Sequence, residues 1–426
     1  MTNKLSVDKF RRNIVSVPEA QAKILAYAQQ GEMELVPITE AKDRILARDV
    51  TAPHPFPHFR RSGMDGYALH SSDTRGGNND QPVQLEVVDD IPCGSLPTAS
   101  VKRGTVSRIM TGAKVPDEAD AVMMLEMTEP FEREGKRYIR IKREIEPGNN
   151  ITPVGHELTE GELIMEKGRR IGTGEISVLA TFGIHQVPVA KKPQVAIFST
   201  GSELLHIEDP LQDGRIRNSN TYMLASQIRE AGGEPHLLEA IEDDLDKARH
   251  RVEAAFAEYD IVITTGGVSV GDYDIMADLV REPSTEMLFN KVSMRPGSVT
   301  TAAVKEGKLL FALSGNPGAC FVGCELFVRP FIGTVLGIPE PFLPRYRAVL
   351  GTTYHKVNNF TRFVRGSLTF EDGRLVAYPA ALDESSVMVT IKDSDVLIVV
   401  PPTNKGVEAG ELVDVLLLPG GKLTSK

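Results

Sequence analysis

The chain has 426 residues, of which 41% are hydrophobic, so two to four domains with ordinary cores are expected. Its formal net charge of -10, with no run of basic residues longer than a pair, argues against a surface for nucleic acid or an anionic membrane. The start of the chain lacks a signal-like apolar stretch, and the most apolar later segment carries Glu325 and Arg329, so we expect neither export by that route nor a membrane span. Three cysteines are too few for a disulfide framework, which predicts a reducing, cytoplasmic location.

The first part of the chain is predicted to contain one helix and then β-rich modules. The helix runs from Val17 to Gln30, with Pro18 in its first turn and Gly31 ending it. Residues 50–190 are rich in glycine, proline and short β-prone runs, which favours strands joined by long loops. We place an N-terminal linking module at 1–50 with 140–190, and an elongated β-rich module at 51–139.

Residues 191–337 alternate between strand and helix patterns, which is typical of a doubly wound α/β domain with a parallel sheet. The predicted strands are QVAIFST, PHLLEAI, DIVITT, MLFNKVSM and LLFALSG. One intervening helix has Asn220 as a plausible cap, and another follows Asp243 and Asp244. From residue 338 to 426, short and evenly spaced strands predict a small C-terminal β-barrel or sandwich. The fold class is therefore multidomain, α/β plus β.

Three loops of the α/β domain follow predicted strands at the edge where open parallel sheets bind ligands. They are STGSELL with Thr200, Gly201 and Glu203; TTGGVSVGDYD with Gly266, Gly267, Ser269, Asp272 and Asp274; and LSGNPGA with Ser314, Gly315, Asn316 and Pro317. Small residues there let main-chain N–H groups approach a phosphate, and a helix dipole adds about 0.3 to 1 kcal/mol for an anion. Any one loop could serve only tight packing, but three on one sheet face favour an anion site.

Carboxylates in these loops predict a metal ion. Glu203 and Asp274 would repel a bound phosphate unless a cation lay between them, and Mg²⁺ is usually held by one or two carboxylates plus phosphate oxygens. For Asp272 a role as helix cap is favoured. Lys291 and Arg295 alternate toward one side of their predicted strand and could hold a second anion, although charges at strand ends are commonly only solvated.

Upstream, two constrained turns contain polar residues. Asp65 lies between Gly63 and Gly66 in SGMDGYA, and Thr111 opens a similar turn in MTGA. An acid in such a loop is either functional or simply turn-forming.

Taken in order, SGMDGYA, MTGAKVPDEADAVMMLE, STGSELL, TTGGVSVGDYD, MRPGS and LSGNPGA resemble the motifs of the molybdopterin molybdenumtransferase family, over nearly the whole chain. The resemblance implies a transferase that inserts molybdate into adenylated molybdopterin, with Mg²⁺-dependent cleavage of the phosphoanhydride and release of AMP. It also implies a pterin-binding α/β domain, a homodimer, and a possible encounter with the adenylyltransferase that supplies the substrate.

The resemblance also assigns roles to residues. Its implied catalytic residues are Asp65, Thr111, Glu203 and Asp274, and its implied metal ligands are Glu203, Asp274 and Asp243. Its implied substrate-binding residues are Thr200, Gly201, Asn218, Ser219, Asn220, Gly266, Gly267, Ser269, Lys291, Arg295, Ser314, Gly315, Asn316 and Pro317. Of these, Lys291 and Arg295 would attract molybdate, a dianion.

This chain departs from the family pattern in several places. Many members read KPGKP where this chain has RPGSV, so Arg295 keeps a charge that can fork onto two oxoanion oxygens while Ser298 loses one. An arginine of the family pattern is replaced by Thr152, although Glu157 keeps the nearby acid. Ser385 to Met388 fit the C-terminal pattern, but an expected Asn-Gly turn is replaced by residues 393–395.

Two other functions remain open from the sequence. The related adenylyltransferase shares the α/β domain and its GG loop but stands as a single domain, whereas this chain adds N-terminal and C-terminal modules. A receptor-clustering scaffold like the neuronal fusion relative would be expected to carry added segments.

Overall fold

The computed structural model describes residues 14–240, 245–266, 285–357 and 359–425. Its contacts divide the chain into two compact units. The first comprises Met1–Arg48, Lys167–Ser177 and His185–Lys426, and the second comprises Asp49–Glu166 and Val178–Ile184. The four-module division drawn from the sequence stays a prediction.

The N-terminal segment of the first unit contains strand β1 (Ile14–Val15), helix α1 (Val17–Leu25) and strand β2 (Met33–Pro37). Ser16 caps α1 in a capping box with Glu19, which satisfies amides at the helix start that have no partner within the helix. The predicted end at Gln30 is wrong, because the backbone tightens after Leu25 to bonds between residues three apart, such as Tyr27 N to Ile24 O at 3.1 Å.

The second unit is built on a six-stranded mixed sheet. The strands of the whole unit are β3 (Val50–Thr51), β4 (Arg61–Ser62), β5 (Gly66–Leu69), β6 (Val83–Ile91), β7 (Thr105–Ile109), β8 (Ala121–Met124), β9 (Thr128–Arg133), β10 (Lys136–Ile141), β11 (Ile151–Thr152) and β12 (Leu163–Met165), of which β3 pairs with β12 and β4 with β11 outside the large sheet. The sheet order is β8-β5-β7-β6-β10-β9, and the apolar faces of Leu69, Val106 and Ile139 pack into one core. Helix α2 (Thr173–Thr181) follows, with its residues divided between the two units. The β-rich character predicted for this region is confirmed.

The α/β domain forms a large part of the first unit. It is preceded by β13 (Gln186–Ala190), which pairs with β2. The strands between residues 191 and 337 are β14 (Gln194–Ser199), β15 (Leu204–Leu205), β16 (Ile216–Arg217), β17 (Glu234–Leu237), β18 (Ile261–Thr265), β19 (Thr285–Phe289), β20 (Lys291–Val292), β21 (Met294–Arg295), β22 (Thr301–Lys305) and β23 (Lys308–Leu313). Its helices are α3 (Asn220–Ala231), α4 (Leu245–Glu258), α5 (Pro317–Gly323) and α6 (Arg329–Val335). The sheet order is β17-β14-β18-β23-β22-β19, which confirms the predicted α/β architecture.

Two details of the predicted sheet are wrong. Strands β17, β14, β18 and β23 are parallel to one another, but β22 is antiparallel to both of its neighbours, β23 and β19. The tight turn at Glu306 and Gly307 folds β22 and β23 into a hairpin. The predicted strand MLFNKVSM is divided into β19, β20 and β21, which pair with three different partners. Lys291 and Arg295 therefore leave the main sheet instead of alternating along one of its strands.

The long core helix contains a wide, π-helical turn at Cys324–Val328 between α5 and α6. Pro330 has no N–H to donate to Leu326 O four residues earlier, and its ring would clash with that carbonyl in a regular helix. The freed carbonyl instead accepts the side-chain amide of Gln21 at 2.9 Å. The whole stretch Pro317–Val335 is long and apolar enough to cross a membrane, but 83% of its most apolar window is buried, as in a core helix.

A closed β-barrel forms the C-terminal domain. Its strands are β24 (Arg345–Leu350), β25 (Thr361–Glu371), β26 (Arg374–Pro379), β27 (Val396–Val400) and β28 (Leu412–Leu417), with β29 (Leu423–Ser425) added alongside β25. The ring closes in the order β25-β26-β24-β28-β27 because β27 also pairs with β25. Closure satisfies the edges that short strands would otherwise expose, and it confirms the predicted barrel.

Candidate functional site

Three strand-end loops lie side by side at the carboxyl edge of the parallel strands. Thr200 N donates to Thr265 O at 3.0 Å, so the loop after β14 is joined to the end of β18. Gly266 N donates to Leu313 O at 3.1 Å, which joins β18 to the end of β23. The sheet thus brings Thr200, Gly266 and the residues after Leu313 together at one edge, where open α/β sheets bind ligands.

Asn220 connects these loops from the first turn of α3. Its side-chain amide donates to Thr265 Oγ1 at 2.9 Å and to Gly315 O at 2.8 Å. The predicted capping role is wrong: Asn220 is the first helical residue and its side chain turns toward the sheet edge. Its carboxamide oxygen is buried without a hydrogen-bond partner, so this oxygen is open to an N–H or O–H group from a ligand or water.

Gly266 makes the close approach of two loops possible. Its φ is 92°, in the left-handed region, and a Cβ at this position would lie 2.5 Å from Thr200 O. Across the same edge, a Cβ at Gly315 would lie 3.4 Å from Gly266 Cα. Any side chain at Gly266 would force the loops apart.

The predicted acidic site is only partly described. Glu203 is exposed and folds its carboxylate over Gly201, since a Cβ there would lie 2.4 Å from Glu203 Oε2. Gly267, Ser269, Asp272, Asp274, Asp243 and Asp244 fall outside the described residues. Nearby, the Asn218 amide donates to Ser199 Oγ at 3.0 Å, and Ser219 precedes α3.

The fit of Mg²⁺ can be judged from Glu203. Among residues 14–240, 245–266, 285–357 and 359–425, no group of three His, Cys, Asp or Glu side chains could hold a metal ion. Mg²⁺ does not require such a group, because one carboxylate with substrate phosphate oxygens and water completes its octahedron. An accessible hard-oxygen ligand at the sheet edge fits that ion.

A charged cavity of about 340 Å³ is lined by residues of the loop after β23 and of the C-terminal barrel. Three cationic side chains, Arg295, Lys356 and Arg362, line it together with the carboxylates of Asp383 and Glu384. The loop contributes Ser314 and Asn316. Lys291 is not among its lining residues, and its ammonium lies 6.0 Å from the centre of the Phe360 ring. Arg295 and Lys291, predicted to act together, are therefore not brought together in this cavity.

The barrel wall is attached directly to the loop LSGNPGA. Gly318 N donates to Ser385 O at 2.8 Å, and the Asn316 amide donates to Ser385 Oγ at 3.3 Å. Behind them Arg365 is 2% exposed, and one of its terminal nitrogens donates to Glu384 O at 3.1 Å. The other terminal nitrogen of Arg365, Nη1, has no hydrogen-bond partner, and a Cβ at Gly318 would lie 2.0 Å from it. Burial lowers the pKa of Arg365, but an arginine stays protonated, so this wall is positive.

Asp383 anchors the cationic side of the cavity. It accepts hydrogen bonds from Tyr354 OH and Lys356 Nζ, and Arg362 Nη1 lies 4.0 Å from Asp383 Oδ2. Burial alone would raise the pKa of Asp383, but the bonds from Lys356 and Tyr354 outweigh it and the pKa is lowered. Burial and the bond to Asp383 raise the pKa of Tyr354, so this hydroxyl remains a donor.

In the second unit, Asp65 and Thr111 form a joined pair. Thr111 donates to Asp65 Oδ1 from its backbone N–H at 2.7 Å and from its hydroxyl at 3.0 Å. These bonds, the backbone one first, lower the pKa of Asp65, so it is ionised at neutral pH. Arg61 pairs with Glu157 at 2.9 Å, so Glu157 has a cationic partner even though Thr152 replaces the family's arginine.

Sequence reasoning missed several residues of these sites. Thr265 ends a strand that was predicted, but its role as acceptor for Asn220 depends on which side chain reaches it. Arg362 and Arg365 are three residues apart in a predicted strand, so they face opposite sides of it and one of them has to face the side that is buried, a signal that could have drawn attention to them. No sequence signal marks Asp383, which meets Lys356 and Tyr354 only through the closed barrel.

Family profiles match three parts of the chain: the MoeA N-terminal region (domains I and II) at 15–183, a probable molybdopterin-binding domain at 196–334 and the MoeA C-terminal region (domain IV) at 347–418. The molybdopterin molybdenumtransferase of Bacillus subtilis is 43% identical over 96% of this chain and 95% of its own. The one from Staphylococcus epidermidis is 38% identical over 97% of each chain. The crystal structure of a molybdopterin biosynthesis MoeA protein from Pyrococcus horikoshii is similar at a TM-score of 0.81 and 29% identity, covering 95% of this chain and all of the other.

Proposed function

The chain belongs to the molybdopterin molybdenumtransferase family, enzymes of molybdenum cofactor biosynthesis, and on that premise we propose that it inserts molybdate into adenylated molybdopterin and releases AMP. The observation that carries this proposal is the loop LSGNPGA. Gly315 of this loop is joined to Asn220 at the sheet edge, while Ser314 and Asn316 line the charged cavity. One short loop thus connects a site suited to a phosphate-bearing ligand with a site suited to an oxyanion.

The substrate's anhydride and pterin would lie on the strand-end loops. Main-chain amides free of a neighbouring Cβ, as at Gly315, can approach phosphate oxygens. The unpartnered carboxamide oxygen of Asn220 suits an N–H donor, and a pterin ring carries several. We retain Thr200, Gly201, Asn218, Ser219 and Asn220 as substrate-binding predictions.

Molybdate would enter the charged cavity. Arg295 is exposed there, and among the described parts of the chain no carboxylate lies within ion-pair distance of it. A guanidinium can donate two parallel N–H groups to two oxygens of a tetrahedral dianion. The buried charge of Arg365 adds a positive field from behind the wall.

Mg²⁺, when bound, would neutralise the phosphate oxygens and so ease cleavage of the anhydride. Glu203 would hold it, together with Asp274 and Asp243, two residues that lie outside the described part of the chain. Asp65, ionised beside Thr111, is a carboxylate able to accept a proton or orient water.

We extend the proposal to the setting of the enzyme. The family resemblance supports a homodimer and an encounter with the adenylyltransferase that supplies the substrate. A cytoplasmic location is supported by three free cysteines, two of them buried in the core helix, where burial raises the pKa of Cys320 to about 12.

The decisive experiment supplies adenylated molybdopterin, molybdate and Mg²⁺ to the wild-type protein and to Glu203→Ala, and follows AMP release and formation of active cofactor. Wild type should produce both products. Glu203→Ala should lose both, because its carboxylate would no longer hold Mg²⁺ at the anhydride. Glu208→Ala, an exposed acid five residues along the chain, serves as the matched control and should keep activity.

Other outcomes would identify the rival functions. Consumption of ATP and free pterin without use of molybdate would establish an adenylyltransferase and overturn the proposal. Tight pterin binding without either reaction would indicate a carrier or scaffold.

A further inference from the structure

The charged cavity contains its own counter-ions, and the two carboxylates that supply them are held very differently. Asp383 is almost fully buried, with 7% of its side chain exposed, and it has Tyr354 and Lys356 as hydrogen-bonding partners. The Glu384 side chain is 54% exposed, and its ion-pair partner is Lys356, at 3.1 Å. Asp383 is therefore a fixed anchor, whereas Glu384 can leave without exposing a buried charge.

Lys356 is the cation shared by both carboxylates. Its side chain is 44% exposed and reaches the cavity from the segment after β24. The trio of Lys356, Asp383 and Glu384 carries a net charge of -1, which weakens the attraction that Arg295 and Arg362 exert on an anion in the same cavity. If Glu384 swings into solvent, Lys356 and Asp383 together become neutral, and the ammonium keeps donors for a new oxygen ligand.

Replacing Glu384 by an anion at Lys356 requires little free energy. Ion pairs between exposed side chains contribute little to stability, because water and salt screen them and ordering two long side chains costs entropy. A doubly charged oxyanion beside Lys356, Arg362 and Arg295 recovers more attraction than the single carboxylate of Glu384 supplied. The anchor at Asp383 keeps Lys356 inside the cavity during the exchange, so the ammonium does not have to be recruited from solvent.

We propose that Lys356 is an oxyanion ligand of this cavity and that Glu384 is a resident competitor, which occupies Lys356 in the empty enzyme and is displaced when molybdate binds. This inference rests on the proposed function for the identity of the anion. Glu384 then acts as a positioning and affinity-setting residue through Lys356, without touching the substrate. It keeps the ammonium oriented and prevents weakly attracted anions from filling the cavity.

The test is a double-mutant cycle with Glu384→Gln and Lys356→Gln, read out as the KM for molybdate and as kcat in cofactor formation. Glu384→Gln should lower KM about threefold to fivefold, as expected for loss of an exposed ion pair that competes with the ligand, and leave kcat unchanged. Lys356→Gln should raise KM. In the Lys356→Gln background, Glu384→Gln should have almost no effect, because the competitor acts through the lysine.

Asp414→Asn is the matched control, since Asp414 is a partly exposed barrel carboxylate paired with Arg345 and does not line the cavity. It should leave KM unchanged. A higher or unchanged KM in Glu384→Gln would overturn the competitor role. A lowered KM that persists without Lys356 would show only general repulsion and would also overturn it.

Equilibrium dialysis with molybdate alone separates this inference from the proposed function. If Glu384→Gln binds molybdate more tightly than wild type while neither protein forms cofactor, the competitor stands and the transferase proposal fails. If wild type forms cofactor but the two proteins bind molybdate equally, the transferase stands and the competitor is excluded.

Discussion

The strand-end loops and the charged cavity meet at residues 314–316, yet opposite kinds of interaction hold them. The loops are joined by hydrogen bonds between uncharged groups, among them those of Asn220, which is only 9% exposed. The cavity is bounded by ionised side chains, several of them open to solvent, such as Lys356 and Glu384. Neutral buried bonds define one geometry, whereas exposed charges can change partners.

This difference teaches how one enzyme can handle two anionic ligands. A large substrate with many groups benefits from a rigid surface whose shape does not depend on salt or pH. A small oxyanion offers only charge and tetrahedral shape, so its site has to attract it and then exchange ion pairs. Substitutions in the two regions should therefore have different signatures.

The largest effect is expected from Gly266→Ala, which tests the rigidity of the loops. The new Cβ would clash with Thr200 O, and alanine would be strained in the left-handed conformation. The free energy of unfolding should therefore fall by about 2 to 5 kcal/mol, and AMP release should be strongly reduced. Chemical denaturation and the cofactor assay measure these two changes.

Gly307→Ala is the control for that experiment. Its φ of 80° imposes similar strain, but nothing lies within 4 Å of the added Cβ. The free energy of unfolding of this variant should fall by only about 1 kcal/mol, and its activity should be retained. Equal losses at the two glycines would show that the contact between loops contributes nothing.

A smaller, ligand-specific effect is expected from Arg295→Met, which tests the charged cavity. Loss of a guanidinium that holds an oxyanion should raise the KM for molybdate about tenfold or more, with little change in folding stability because the side chain is exposed. The KM of wild type should also rise with salt, since the Debye length falls from about 10 Å at 0.1 M to about 3 Å at 1 M. The variant should show a weaker dependence on salt, and an equal dependence would argue that Arg295 does not contact the anion.

The smallest effect is expected from Thr111→Val, at a site where uncharged donors hold a charge. Removing the hydroxyl leaves the backbone N–H bond to Asp65 in place, so the pKa of Asp65 should rise only part of the way to its ordinary value. Because the folded pKa is lowered, the stability from this site is present above the ordinary pKa of aspartate and is lost as the pH falls through the folded value. NMR titration of the Asp65 carboxyl measures the change, and an unchanged pKa would contradict the assigned hydroxyl bond.

Much of the fold follows from local patterns in the sequence. Apolar strands ending in small polar loops predicted β14, β18 and β23, and evenly spaced strands predicted the barrel. Pairing was harder to predict, because a hairpin such as β22–β23 and the division of MLFNKVSM depend on which distant strand is available. Local propensity contains no information about that choice.

The site was predictable to the same degree. The order of strand ends indicates which loops share an edge, so Thr200, Gly266 and Gly315 could be grouped from the sequence. The direction of the Asn220 side chain and the meeting of Lys356 with Asp383 could not, because both depend on tertiary packing. Lys291 was paired with Arg295 on the assumption of one continuous strand, and the break after Phe289 separates them.

The wide turn at Cys324–Val328 also changes the phase of the core helix. One extra residue in a turn rotates everything after it by about 100°, so the buried faces before and after the turn follow different numbering. Within this turn the buried carboxylate of Glu325 accepts hydrogen bonds from Gln227 at 2.7 Å and from Arg329 at 2.5 Å. A helical periodicity applied to this segment therefore has to allow a one-residue offset after the turn, because positions on the same face before and after it do not keep the regular spacing along the chain.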